Sequence, residues 1–576
     1  MNQPSPAIVT KAAVRRLPRA ALWLFCLAYI LAGFLGRAPW KLADATAFGT
    51  MQEMVLGLTD WMLPQGTAEV GSYDGLLPFW LGAGAMKLMP FLPADQASRL
   101  PFMLLLGLAL AGTWYAAYHL ARSPQAQPVA FAFGGEAEPR GYARALADAA
   151  LLALLACLGL AQLSHEATPA LAQLGFTGLL LYAVASAPQV AWPRSAVLAA
   201  LALTGLSLSG APAMAVLFGL GASLIEWRSR QTRGARWHLW PLSLLALTAL
   251  SAVLAQSLGL WQWHIDVQQW EQAVRQKSLS AWLRLFVWFM WPAWPLALWT
   301  LWQWRRQLGS RHVALPLWFV GVVMASVLLT DTSDRGLLLA LPALAALAAF
   351  ALPTLKRSMA ALIDWFTLIF FTVCGITIWV VWIALQTGVP RQPAANVAKL
   401  APGFEPSFSL LALCVAILAS LGWAWLVRWR TGRHRSALWK SLVLPAGGAT
   451  LCWLLLMSLW LPLLDHARSY QPLVRQVMPR VDSQACVETL GLSVAQRSAL
   501  RHHGGLTLRT AERQAHCPSL LVDRQAQGRF RRELDTSAWI LVAAARRPTE
   551  KSDDILIYRR ARKPVAEMAP GAAPRE

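Results

Sequence analysis

The chain alternates long apolar runs with short polar joints. The runs fall at about residues 20–35, 99–120, 146–163, 170–186, 195–209, 211–226, 239–258, 282–303, 313–330, 336–353, 364–386, 408–427 and 439–464. A helix needs about 20 apolar residues to cross hydrocarbon, fewer when its ends snorkel. The pattern therefore predicts about thirteen spans, the 195–226 region being the weakest part because its hairpin is short. Residues 1–19 are polar and basic, with Lys11, Arg15, Arg16 and Arg19 just before the first run, as in a signal-anchor. No small-residue cleavage site follows, so the first run is kept as a span. The stretch 76–92 is apolar but interrupted by glycines, Lys87 and Pro90, and is read as an interfacial or re-entrant helix on the outer side. The Pro- and Gly-rich loop 122–145 is read as mobile, and Trp261–Ser280 as a helix lying on the membrane surface.

From about Asp465 the pattern changes. Short β-like runs (Ala485–Leu490, Leu520–Val522, Trp539–Ala545, Ile555–Tyr558) alternate with helical ones (Tyr470–Met478, Ser493–His502). The expected fold class is an all-α polytopic membrane protein of about thirteen transmembrane helices with a small C-terminal periplasmic α/β domain. Its parts are a cytoplasmic N-terminus over 1–19 and a membrane domain over 20–464 with a long first external loop, 36–96. The α/β domain over 465–562 and a disordered tail over 563–576 follow.

Composition agrees with this pattern. Of 576 residues, 56% are hydrophobic and 14% charged, and the mean hydropathy is +0.44. The net charge of +22 would suit nucleic acid, but the basic residues cluster in short loops between spans. They read as topology determinants, and no nucleic-acid partner is expected. The clusters at 11–19, 228–236, 305–311, 356–357 and 428–435 fall on one side, which positive-inside assigns to the cytoplasm. An odd number of spans then leaves the C-terminus outside. Many of the 30 tryptophans sit near span ends, as an interfacial belt does. Cys26, Cys157, Cys374, Cys414 and Cys452 lie in apolar spans and pack there. Cys486 and Cys517 lie in the extracytoplasmic domain, where pairing would stabilise it by ~3–4 kcal/mol in the chain-entropy model.

The chain carries no P-loop, strand-borne GxGxxG, HExxH or CxxC pair. Its candidate chemistry lies at the predicted outer span ends. There the first loop holds Asp44, Asp60 and Asp74, Arg99 opens the second span, His165–Glu166 join the third and fourth, and Asp331, Asp334 and Arg335 sit at the ninth–tenth turn. Carboxylates beside cations suit transfer from a lipid-anchored phosphate donor. A carboxylate takes the proton from an acceptor hydroxyl, and arginines hold the departing phosphate. Each residue also has a structural reading. Asp44 is placed to N-cap a short helix over Ala45–Met54, whose Phe48, Met51 and Val55 would face the bilayer surface. His165–Glu166 can be a solvated turn, Asp334–Arg335 a local ion pair, Asp60–Trp61 a loop anchor, and Arg99 a snorkelling cation.

Several stretches resemble a family. They are PWKLADATAFGTMQEM and DWMLP in the first loop, LPFWLGAGAMKL and ASRLPFMLLLGLALAGTWY after it, GLSLSGAPA near 205–213 and DRGLLLALPALAALAAF at 334–350. The chain resembles the polytopic C-type glycosyltransferases that take sugar from a polyprenyl-phosphate carrier, above all the bacterial aminoarabinose transferases and protein O-mannosyltransferase-like enzymes. The resemblance implies thirteen spans and a periplasmic domain. It also implies catalytic carboxylates at Asp44 and Glu166 and substrate contacts at Arg99, His165, Asp74 and Arg335. It leaves the cofactor open, a divalent cation being one option, and implies no protein-held metal set. Its partners would be membrane lipid, the lipid-linked sugar and an envelope acceptor, at a bacterial inner membrane with the site facing the periplasm. Three departures stand out, one being that the GLxFLxKG-like motif lacks its basic residue here. Where the family usually shows a Glu-Lys-Pro-Pro-like motif, this chain has Tyr73-Asp74-Gly75-Leu76, so the phosphate-contacting lysine is absent. Where an Asp usually follows the His, Glu166 does. An active enzyme would then recruit Arg99 or Arg335 for the phosphate. A flippase for a lipid-linked sugar and an inactive carrier-binding scaffold remain as alternatives.

Overall fold

A computed structural model describes residues 5–40, 43–62, 75–229, 239–261, 279–330, 334–432, 437–512, 516–550 and 554–561. Asp74, Asp331, most of the 261–280 segment and the tail lie outside these residues. The chain divides into two compact units. One comprises Met1–Pro39, Thr50–Asn396 and Glu405–Leu463; the other comprises Trp40–Gly49, Val397–Phe404 and Leu464–Glu576.

The first unit is helical, and each predicted span holds a helix or a helix pair. Among the described residues, seven are long and apolar enough to cross a membrane, or nine if each bent pair counts as one span. Arg19–Phe34 and Trp192–Leu208 are shorter apolar helices. Pro139–Ala156 and Pro212–Arg228 complete the set of predicted positions. Three spans differ in form from the expectation, one being the 439–464 run, which is the bent pair Lys440–Leu456 and Leu461–Arg468 (70°). The third span starts at Pro139, several residues early, because proline suits the first helical position. The 282–303 run is two helices bent by 89° across Pro292, which has no N–H to continue the ladder.

The loop expected to be mobile is tied down instead. The N–H of Val129 donates to the Ala7 carbonyl (2.9 Å), that of Ala137 to Val9 (3.0 Å), and that of Lys11 to Gly135 (2.9 Å). The N-terminal segment and the 122–138 loop thus satisfy each other's backbone groups. Arg311, expected in a basic cytoplasmic cluster, is likewise buried. It pairs with Glu226, and its guanidinium donates to the carbonyls of Ala185 and Val184 at the end of Pro169–Ser186.

Leu341–Ala349 is buried throughout. By contrast only 22% of the span window in Arg357–Thr387 and 11% of that in Leu410–Thr431 is buried, so these two helices are peripheral. Ala94–Ala121 and Pro169–Ser186 approach each other closely. A Cβ on Gly112 would sit 2.6 Å from the Gly178 carbonyl carbon, and one on Gly175 would sit 2.9 Å from the Leu105 oxygen. Small residues let membrane helices close to backbone contact where apolar burial gives no net drive. The 76–92 stretch forms Leu77–Leu88, a helix of 12 residues, too short to span.

The second unit holds a five-stranded mixed sheet. Its strands are β1 (Val487–Leu490), β2 (Leu508–Thr510), β3 (Ser519–Asp523), β4 (Trp539–Arg546) and β5 (Asp554–Arg560), in the order β2-β1-β3-β5-β4. β1 runs parallel to β2 and β3, while β5 is antiparallel to β3 and β4. The predicted strands are present, and β2 is additional. Ser493 and Gln496 form a reciprocal capping box at the start of Val494–Gly504. Cys486 and Cys517, on the residues before β1 and near β3, are joined in a disulfide with Cα atoms 5.3 Å apart.

Two measurements check this architecture. Gly112→Val forces the helix pair apart, and overpacking of this kind costs ~1–3 kcal/mol. The detergent-purified variant should melt several degrees lower, whereas an unchanged transition would show that the two helices move apart freely. In unreduced protein, peptide mapping should find Cys486 and Cys517 protected from alkylation until reductant is added; free labelling of both would break the pairing.

Candidate functional site

The site in the first unit is built from the end of the first helix. Arg37, 3% exposed, turns back on the chain. Its Nε donates to the Gly33 carbonyl (2.8 Å), Nη1 to Ala38 (3.3 Å) and Nη2 to His165 (2.5 Å). Helix-end carbonyls have no intrahelical partner, and here a side chain supplies one. Arg99 continues the chain, its Nη1 donating to the carbonyls of Arg37 (2.6 Å) and Phe34 (3.4 Å). Arg99 is buried, and its Nη1 also lies 3.8 Å from the Asp95 carboxylate, so a snorkelling role is set aside.

His165 sits in the 164–168 turn rather than on a solvated surface. Its ring packs on Tyr29, Phe34 and Trp453 with centroids 5.2, 5.1 and 4.8 Å away. Nε2 lies 2.9 Å from the Tyr29 carbonyl, and Nδ1 faces the Ala161 carbonyl and the Ser164 hydroxyl. Burial pushes the imidazole down to about 4, so it is neutral at pH 7. A neutral ring carries one N–H, so it donates to one of the two backbone carbonyls, that of Tyr29 or that of Ala161, and not to both. Space for the ring exists because residue 33 is glycine. A Cβ there would overlap the imidazole and come within 2.6 Å of Trp453.

Glu166, the next residue, is 2% exposed. It accepts from Arg335 Nη2 (2.6 Å) and from Gln162 Nε2 (3.2 Å). Arg335 opens the 3-10 turn Asp334–Ala340. It pairs with Glu166 across the bundle instead of with its neighbour Asp334, and 22% of its side chain stays accessible. Arg335 Nε and the hydroxyl of Thr168 are buried with no hydrogen-bond partner among the described residues. Buried polar groups are rarely left in this state unless a ligand or water completes them.

Asp44 lies in the second unit. It is 1% exposed, sits in the first turn of Ala43–Val55, and accepts from the backbone N–H of Trp40 at 3.0 Å. Trp40 Nε1 in turn donates to Asp465 (2.7 Å). Two of the three residues expected to face the bilayer, Phe48 and Met51, are buried instead. Phe48 is 4% exposed, with its ring 5.1 Å from that of His502. Met51 is fully buried, its sulfur packed where a Cβ on Gly82 would be. Ala45 joins the apolar core of the α/β domain with Leu473, Val487 and Leu500. Asp60 accepts from the N–H of Met62 in an exposed turn, and the carbonyl of Trp61 accepts from Trp80 Nε1.

Hydrogen bonds therefore link Arg99 to Arg37 and Arg37 to His165, and Glu166, the next residue in the chain, pairs with Arg335. Asp74 lies outside the described residues. Among the described residues no three His, Cys, Asp or Glu side chains are grouped to hold a metal ion. Sequence reasoning missed Arg37 and Gly33. The available signal was an arginine just past the first span, in the loop where positive-inside disfavours cations.

No family model and no curated protein matches the chain. Two solved structures are similar in fold. ArnT from Cupriavidus metallidurans bound to undecaprenyl phosphate aligns at a TM-score of 0.60 with 13% identity, over 94% of this chain and 98% of that one. The apo state of the same protein aligns at 0.57 with 14% identity and the same coverage. The two chains share an overall fold at little sequence identity, consistent with the resemblance read from the sequence motifs.

The His165 environment has a pH consequence. Below about 6.5 the unfolded chain takes up a proton that the folded ring refuses until about 4. Stability should fall as pH drops through that window and level off beneath it. His165→Phe keeps a flat ring and removes the titration. The stability advantage of the wild type over this variant should shrink by up to ~1.4 kcal/mol per pH unit between those limits. Parallel pH curves for the two proteins would place His165 in contact with solvent.

Proposed function

We propose that this chain is a bacterial inner-membrane glycosyltransferase that moves a sugar from a polyprenyl-phosphate carrier to an envelope lipid, glycan or protein on the periplasmic face. The observation carrying this reading is the Glu166–Arg335 pair. A buried carboxylate fixes a partly accessible guanidinium whose Nε has no hydrogen-bond partner among the described residues. The likeness to a protein crystallised with undecaprenyl phosphate supports a carrier of that class. A disulfide in the α/β domain fits an oxidising compartment.

In this reading the acceptor hydroxyl attacks the anomeric carbon, the sugar–phosphate C–O bond breaks, and the polyprenyl phosphate leaves with the electron pair. Arg335 takes the phosphate charge in place of the absent lysine. A guanidinium suits this because it can bond Glu166 through one N–H and phosphate oxygens through others. Glu166 holds Arg335 in register. Asp44 receives the hydroxyl proton, as its position in the family-like motif implies. Arg99 and His165 secure the backbone around these groups. The bent helix pairs are a feature that transporters share. Transfer by purified protein from added carrier-linked sugar separates the two readings.

Mass spectrometry of envelope glycolipids from a deletion strain and its parent should show a missing sugar-sized increment; identical spectra, with no transfer in vitro, would overturn the proposal. Asp44→Asn keeps the bond to the Trp40 N–H and removes the proton acceptor. It should express normally and transfer at least tenfold more slowly, since general-base loss costs ~10²–10⁴-fold. Arg335→Lys keeps charge but not the fork and should also lose at least tenfold. Wild-type rates in either variant would move the chemistry elsewhere.

A further inference from the structure

The sheet of the second unit ends in β4, an edge strand. Successive side chains of a strand point to opposite faces, so a strand covered on one side exposes every second one. In β4 three in a row are exposed: Ile540 (59%), Leu541 (53%) and Val542 (43%). The pairing with β5 is irregular between Leu541 and Ala543, which breaks the alternation there. Beyond it Ala545 returns to the apolar core with Ile555 and Ile557. Two arginines stand beside the apolar three. The register sets Arg559 across from Ile540 and Arg560 across from Trp539. Both arginines are exposed, and neither side chain makes an ion pair among the described residues. The neighbouring acids are engaged elsewhere. Asp554 holds Arg546 and Arg524, and Asp535 accepts from the N–H and hydroxyl of Ser537. In the sequence Arg562 and Lys563 follow directly.

We propose that this edge docks on a bilayer surface carrying anionic phospholipid, with the 540–542 side chains entering the interface and the arginines meeting headgroup phosphates. Two other occupants fit less well. Strand addition needs a row of open backbone groups, and at Arg546 both are closed. Its N–H donates to Gln476 Oε1 (3.1 Å) and its carbonyl accepts from Gln476 Nε2 (2.8 Å). A second copy paired along this edge would bring Arg559 and Arg560 towards their own duplicates across a two-fold axis, like charge against like. An anionic lipid surface answers both features at once. It offers apolar contact to three exposed aliphatic side chains and phosphate oxygens to two guanidinium forks. The last predicted span ends at 464, where the main stretch of the second unit begins, so a bilayer is the partner always within reach of the chain. The proposal rests on the sheet and is independent of the transfer reaction.

The test uses full-length protein in nanodiscs of dioleoyl phosphatidylcholine, with or without dioleoyl phosphatidylglycerol, and follows hydrogen–deuterium exchange of the 539–546 peptide by mass spectrometry. Phosphatidylglycerol should slow that exchange by about fivefold or more, the attraction of one cation near a charged surface. Arg559→Gln with Arg560→Gln should abolish the slowing, and Ile540→Ser with Leu541→Ser should weaken it. Arg509→Gln, one charge fewer on β2 at the far edge of the sheet, should leave it intact. Peptides covering β3, inside the sheet, should exchange alike in wild type and variants, which shows that the fold is kept. Equal exchange of 539–546 in the two kinds of disc, or slowing that survives Arg559→Gln with Arg560→Gln, would overturn the docking. Slowing that appears in detergent as protein concentration rises would also overturn it and give the edge to a second copy.

Discussion

The Arg37 guanidinium closes three backbone carbonyls that have no water to turn to, and the order of the surrounding turns depends on it. It fastens the end of Arg19–Phe34 to the 164–168 turn. Arg99 then closes the carbonyl of Arg37 itself. Arg311 does the same work at the end of Pro169–Ser186, with Glu226 balancing its charge. In hydrocarbon an unmet carbonyl costs several kcal/mol, so a buried arginine with five donors can end several helices at once. A buried charge is costly unless paired and hydrogen-bonded. Each of these arginines meets that condition through backbone oxygens, an acid, or both.

This arrangement divides the arginines by task. Arg37 and Arg99 each close backbone carbonyls, Arg99 also lying 3.8 Å from the Asp95 carboxylate, while Arg335 meets the Glu166 side chain and stays partly open. The division bears on the missing lysine. In the proposed reading a guanidinium takes the place of an ammonium on a flexible stem, which asks that its fork be held; Glu166 accepts from Arg335 and from Gln162.

The spans were legible because apolar runs of this length have few other uses. The β1, β3, β4 and β5 runs were legible from short clusters of β-branched and aliphatic residues. β2 was not, since Leu508–Thr510 is three residues long and largely exposed. The bend at Pro292 was written in the sequence, but in a Trp-rich run whose hydropathy masked it. The buried state of Arg311 was hidden for a different reason. An arginine beside a span end reads as a topology signal, and its partner Glu226 lies 85 residues away. The same distance problem hid the partnership of Glu166 with Arg335, 169 residues apart. Composition places an ion pair's members but not the pair. Phe48 and Met51 were assigned to the bilayer surface because their spacing is that of an apolar face, and spacing does not say which apolar partner the face meets.

Gly33 and His165 share one volume: the imidazole occupies the space that a side chain at position 33 would fill. The two positions are therefore coupled by size. A chain of this architecture with alanine or anything larger at 33 has to shrink or redirect whatever stands at 165, and with it the turn that carries the following acid. Among distantly related sequences too dissimilar to align by identity, a small residue at the first position together with a flat ring at the second would mark those that build the turn in this way, and would sort them into a subgroup before any assay is run.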